Sequence, residues 1–170
     1  YWMARLADKI YHSQVGGCEP DESGILSDLQ SEDPGFISVH GVTKNSAQAA
    51  LVEHENYLAL VFRGTDEGID WIDNLNAFPE QALFGSFHRG FLHSVLDIWD
   101  DLFDRYSVLN GQKPRGLFLT GHSLGGAVAN VCTLTALRAQ QKARDAAADA
   151  TARRSAAATG SSPAAGRRAP

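Results

Sequence analysis

Leu117-Phe118-Leu119-Thr120-Gly121-His122-Ser123-Leu124-Gly125-Gly126 is an apolar run that breaks into Gly-X-Ser-X-Gly and passes directly into a helix-forming sequence. Apolar strand, glycine-flanked serine and helix, in that order, make the nucleophile-elbow pattern. A serine hydroxyl is a poor nucleophile at neutral pH, so it must stand clear of the backbone where a base and a carbonyl can both reach it. A sharp strand-to-helix turn does this. It brings strand and helix backbone together, and side chains at positions 121 and 125 would collide there, which accounts for Gly121 and Gly125 flanking Ser123. The NH of Leu124, first in the helix, then points to where an oxyanion forms, aided by the helix dipole. The motif by itself recurs by chance in many chains. Its weight comes from context: the apolar run before it, and Ala127, Val128, Val131, Leu134 and Leu137 at helical spacing after it.

Upstream, Tyr57-Leu58-Ala59-Leu60-Val61-Phe62 is apolar without alternation, the pattern of a strand covered on both faces. Between it and the elbow, Phe91, Val95, Ile98, Trp99, Leu102, Phe103 and Tyr106 mark a helix that Asn110-Gly111 is expected to end. Buried strand, crossover helix and second buried strand imply a parallel pair, hence an α/β sheet. Phe36–Thr43 and Gln48–Val52 read as further strands, with His54-Glu55-Asn56 as a polar connection. Residues 2–12 place Met3, Leu6, Ala7, Ile10 and Tyr11 on one face of a packing helix. Residues 16–35 read as loop with one helical turn at 25–29, and the stretch around Pro79 and Gly85 as loop.

The formal net charge of -5 gives no reason to expect nucleic acid or an anionic membrane as partner. From Arg138 onward there are seven Lys/Arg against two Asp, so an acidic body carries a basic tail. Cys18 and Cys132 form neither metal spacing nor a disulfide framework, and Cys132 reads as a small core residue. No apolar run reaches transmembrane length and no leader peptide is visible. Because the chain opens Tyr1-Trp2-Met3, its true start is expected upstream, and compartment stays open between cytoplasmic and secreted.

Four motifs in order carry a resemblance from about Ala47 to Leu137: Phe62-Arg63-Gly64-Thr65, Asp70-Trp71 with Asn74-Leu75, His88-Arg89-Gly90-Phe91, and Gly121-His122-Ser123-Leu124-Gly125-Gly126-Ala127. Together they resemble the class 3, fungal-lipase-like branch of the α/β-hydrolases. The resemblance implies an α/β-hydrolase fold, with an incomplete mixed sheet here, and hydrolysis of carboxylic esters of acylglycerols or phospholipids at a lipid-water interface, with no metal or organic cofactor. Ser123 falls where the family has its acyl-forming nucleophile, and Thr65 where it takes a second oxyanion-hole donor beside the Leu124 NH. Each such donor is worth about 3 to 4 kcal/mol to the tetrahedral intermediate. Asp66 to Leu75 occupies the place of the family's lid, with Trp71 either on its apolar face or in the core. His88 and His122 take structural parts, because neighbouring side chains at an elbow point apart and His122 cannot easily act as base for Ser123.

In this fold the triad runs Ser, Asp, His along the chain. After Ser123 there is no histidine, and the carboxylates are Asp145 and Asp149, both in Ala-rich sequence. Residues 138–170 hold no Val, Ile, Leu, Met, Phe, Tyr, Trp or Cys, so they cannot supply the remaining strands. The expected organisation is a partial hydrolase domain over 1–137 and a low-complexity tail over 138–170, helical to about Ala152 and then disordered. Three accounts fit: a truncated or frame-shifted lipase copy with weak or no activity, which is the favoured one; a lipase-like chain that has lost catalysis and serves as a binding module; or an acid and base supplied by another chain.

Overall fold

Residues 57–62 are apolar at every position because both faces of the strand they form are covered. In the computed structural model, which describes residues 1–12, 19–45, 47–64, 79–82 and 85–159, β1 (Phe36–Lys44), β2 (Ala47–His54), β3 (Tyr57–Phe62) and β6 (Gly116–Gly121) form one sheet in the order β1-β2-β3-β6. β1, β2 and β3 are antiparallel neighbours, while β3 and β6 run parallel, Leu58 opposite Leu117 through Phe62 opposite Gly121. The crossover is made by helix α3, Arg89–Gln112. This is the strand-helix-strand arrangement expected from the sequence, and the sheet is mixed.

Alternation along β2 and β3 divides the core in two. Ala49, Leu51, Leu58, Leu60 and Phe62 face α3 and the start of α4 (Leu124–Thr159), packing with Leu92, Val95, Ile98, Leu102, Val128 and Cys132. Ala50, Val52, Ala59 and Val61 face α1 (Trp2–Lys9) and α2 (Glu22–Glu32), packing with Leu6, Ile10, Ile25 and Leu29. Each large side chain so buried contributes about 1.5 to 3 kcal/mol. β6 is the outer strand beside β3 and is only partly covered, with Phe118 50% exposed. Among the described residues the second strand of the parallel pair is therefore an edge, less covered than the buried strand expected.

Three further readings are corrected. The stretch read as loop with one turn contains the 11-residue helix α2. Asp21 caps it by accepting from the Gly24 NH at 3.1 Å, and Ile25 and Leu29, one turn apart, bury its inner face. Ile25 is 2% exposed, so Ile25→Ala is expected to lower unfolding stability by about 2 to 3 kcal/mol in a urea titration. The Pro79/Gly85 stretch is not all loop, since β4 (Pro79–Ala82) and β5 (Gly85–His88) pair antiparallel with Ala82 opposite Gly85. α3 does not stop at Asn110-Gly111 but reaches Gln112, and the Asn110 Oδ1 accepts from the Arg115 NH at 3.0 Å, so this asparagine ties down the following turn.

His54, read as part of a connection, is a buried residue of β2. Its ring stacks on Tyr57 at 4.5 Å, its Nδ1 accepts from the Asn56 NH at 3.2 Å, and its Nε2 lies 3.2 Å from Asp33. The Gly35 NH and this histidine hold the Asp33 carboxyl below the usual carboxylate range. The chain divides into two units, Tyr1–Leu134 and Thr135–Pro170. The described part of the second is Ala-rich helix, exposed from Leu137 to Ser155, that runs on past Ala152 to Thr159.

Candidate active site

β6 delivers the chain to Gly121, and α4 starts three residues later at Leu124. Ser123 lies between them, exposed, with φ of 53°, the left-handed region that a side chain rarely occupies. The turn is closed by the Gly125 NH donating to the His122 carbonyl at 2.9 Å and the Gly126 NH donating to the Ser123 carbonyl at 3.0 Å. A Cβ at Gly121 would come within 3.0 Å of the Gly125 carbonyl group and of the Phe62 carbonyl oxygen. One at Gly125 would meet the Phe62 carbonyl still more closely. Both glycines therefore let strand, helix and the end of β3 approach backbone to backbone. Gly126 is less tight, its nearest neighbour being the Gly121 carbonyl oxygen at 3.2 Å from such a Cβ.

As the first residue of α4, Leu124 carries one of the NH groups that a helix leaves without an internal partner. It sits beside the serine at the positive end of the helix dipole, a place suited to negative charge. On the other side of the elbow runs Arg63-Gly64, the exit from β3. A Cβ on Gly64 would lie 2.6 Å from the His122 carbonyl oxygen and 3.5 Å from the Gly125 nitrogen, so this segment rests directly on the turn.

His122 points away from a role at the serine: its Nδ1 lies 3.3 Å from the Tyr11 hydroxyl and its ring meets the Tyr11 ring edge-on at 6.1 Å. Tyr11 has no motif around it, and sequence reasoning gave it only a place on a packing face. Its partners are 53 and 111 positions away, so no local pattern could have announced it. Thr65, Trp71 and the proposed lid fall outside the described residues, as does Cys18. His88 ends β5. His12, His40 and His54 face Asp28, Glu22 and Asp33 respectively.

The family model of Lipase (class 3) matches residues 59–168, the greater part of the chain. The chain belongs to the class 3 lipases. Within that family it is 32% identical over 96 residues to the lipase of Rhizomucor miehei, an alignment taking in 52% of this chain and 26% of that one. The structure of Rhizomucor miehei lipase in its propeptide complex superposes with a TM-score of 0.60 at 26% identity, over 79% of this chain and 44% of that chain. A lipase from Rhizopus microsporus var. chinensis, at 19% identity, shares the fold with a TM-score of 0.63 over 82% and 53% of the two chains. The class 3 lipase described here thus spans about half the length of these solved relatives or less, and the mixed four-stranded sheet is part of an α/β-hydrolase fold. Among the described residues no helix is long and apolar enough to cross a membrane.

Proposed function

We propose that Ser123 is the nucleophile of a carboxylic-ester hydrolase acting on acylglycerol or phospholipid esters through an acyl-enzyme. The observation that carries this reading is the left-handed serine between β6 and α4, wedged by Gly121 and Gly125 against the end of β3. Ser123 Oγ attacks the ester carbonyl, the Leu124 NH and Thr65 take the developing oxyanion, the acyl C–O bond breaks and the alcohol leaves with the proton given up by Ser123, and water then cleaves the acyl-serine ester to the acid and restores the serine hydroxyl. In support of Thr65, the segment leading to it rests on the elbow, Gly64 lying against the His122 carbonyl. By the family resemblance Asp66 to Leu75 takes the lid's part, with Trp71 either on its apolar face or in the core, and His88 fixes the loop beside the elbow.

In these 170 residues no histidine follows Ser123, so the family's downstream base has no counterpart among them. The oxyanion hole and binding alone leave a factor of ~10³ over water. An alkyl phosphonate ester is therefore expected to label Ser123 slowly in the full chain, read by intact mass, and Ser123→Ala is expected to remove the label entirely. Labelling that persists in Ser123→Ala, or none in the wild-type chain, overturns the reading; the second result leaves the lipase-like binding module.

A further inference from the structure

We propose that Tyr11 is a positioning residue, its hydroxyl pinning the Arg63-Gly64 segment to the elbow and so setting the separation of the two sides of the oxyanion hole. The inference rests on the hydrolase reading of Ser123. A phenol hydroxyl has one proton to give and two lone pairs to accept with. The Gly64 NH donates to it at 3.1 Å, which leaves the proton and a second lone pair for the His122 Nδ1 at 3.3 Å. One oxygen thus joins the exit of β3 to the residue immediately before the nucleophile.

One further contact holds the Tyr11 ring, and two features hold the segments on either side of it. The Arg63 guanidinium lies over the Tyr11 ring, 5.3 Å from its centroid. The Thr120 hydroxyl, two residues before His122, donates to the Met3 carbonyl at 3.2 Å and ties the end of β6 to α1. Gly64 is hemmed in, since a Cβ there would lie 2.5 Å from the Tyr11 hydroxyl and 2.6 Å from the His122 carbonyl. Tyr11 is bonded to the residues flanking the reacting groups and not to the serine, so it acts through them. Oxyanion donors arrive from two loops, and a shift of about 1 Å between such groups costs on the order of 10²-fold in rate.

The test is Tyr11→Phe in the full chain, which removes the oxygen and keeps the ring. Tyr57→Phe serves as control, because the Tyr57 hydroxyl is buried without a hydrogen-bond partner. By NMR hydrogen exchange the Gly64 amide of Tyr11→Phe is expected to exchange ~10-fold faster while β2 and β3 amides keep their rates. Phosphonate labelling of Ser123 is expected to slow by ~10-fold, and Tyr57→Phe to change neither reading. A Gly64 amide unchanged in Tyr11→Phe overturns the proposal, as does unchanged labelling. A uniform rise in exchange across the sheet also overturns it, since that would mark a merely structural part. If wild-type Ser123 takes no label, the hydrolase reading falls by itself, and the Gly64 amide still decides whether the hydroxyl holds the two segments together.

Discussion

Gly125→Val is expected to cost more than about 3 kcal/mol of stability, because overpacking against backbone cannot be relieved by turning a side chain. At this position a Cβ meets the carbonyls of Phe62 and Arg63, which are main-chain atoms held by the β2–β3 and β3–β6 pairing. Either the elbow backs away from β3 or the strand end gives way. In both cases the Leu124 NH leaves its place beside the Arg63-Gly64 segment, and phosphonate labelling of Ser123 is expected to fall on the order of 10²-fold or more. A Gly111→Val control should leave labelling intact, since nothing lies within 4 Å of a Cβ there. A urea titration and a labelling time course on the two variants check both statements.

The second large effect sits at the other end of the elbow strand. Arg115, its side chain 4% exposed, pairs with Glu53 at 2.8 Å and also donates to the His54 carbonyl at 2.8 Å. Arg115→Met strands the Glu53 carboxylate in a nearly closed site and frees two acceptors, a loss of about 3 to 4 kcal/mol. The pH dependence follows from the same pair. Burial pushes the Glu53 carboxyl up, but hydrogen bonds from Arg115 and Ser38 outweigh it and the net direction is down. A carboxyl lower in the folded chain than in the unfolded one stabilises fully above the ordinary glutamate range and loses that contribution as pH falls through the folded value. Asp33, lowered by the Gly35 NH and by His54, acts in the same sense. Stability should therefore decline with acid below about pH 4 to 5, and in Arg115→Met, where burial is opposed by Ser38 without the arginine, the Glu53 part should shrink or change sign. Denaturant midpoints measured across that range on both proteins provide the check.

What could be read from the chain follows how local each cause is. The elbow was legible because a strand, a tight turn and a helix N-terminus each leave marks within ten residues, and glycine spacing records a backbone collision directly. β3 was legible because a strand covered on both faces admits no polar residue. α2 was not, since three apolar side chains scattered among Gly, Ser and Asp look like loop until Asp21 is seen capping the Gly24 NH. Asn110-Gly111 misled because the asparagine side chain is spent on the Arg115 NH and not on ending the helix. His54 looked like a polar link, and only the fold brings Asp33 and Tyr57 around it. Tyr11 lies furthest from legibility, for its value depends on two segments that meet only once the sheet has formed.

The thiol of Cys132 offers a way to time that meeting. It lies two turns into α4, in the layer between the helix and the sheet, and burial pushes its pKa up to about 12. At pH 8 about one such group in ten thousand is ionised, so a thiol reagent has almost nothing to attack while the layer is shut. With Cys18 replaced by serine, colour from an aromatic disulfide would accumulate only at the pace with which the ground beneath Ser123 opens, giving the elbow a stopwatch that needs no substrate.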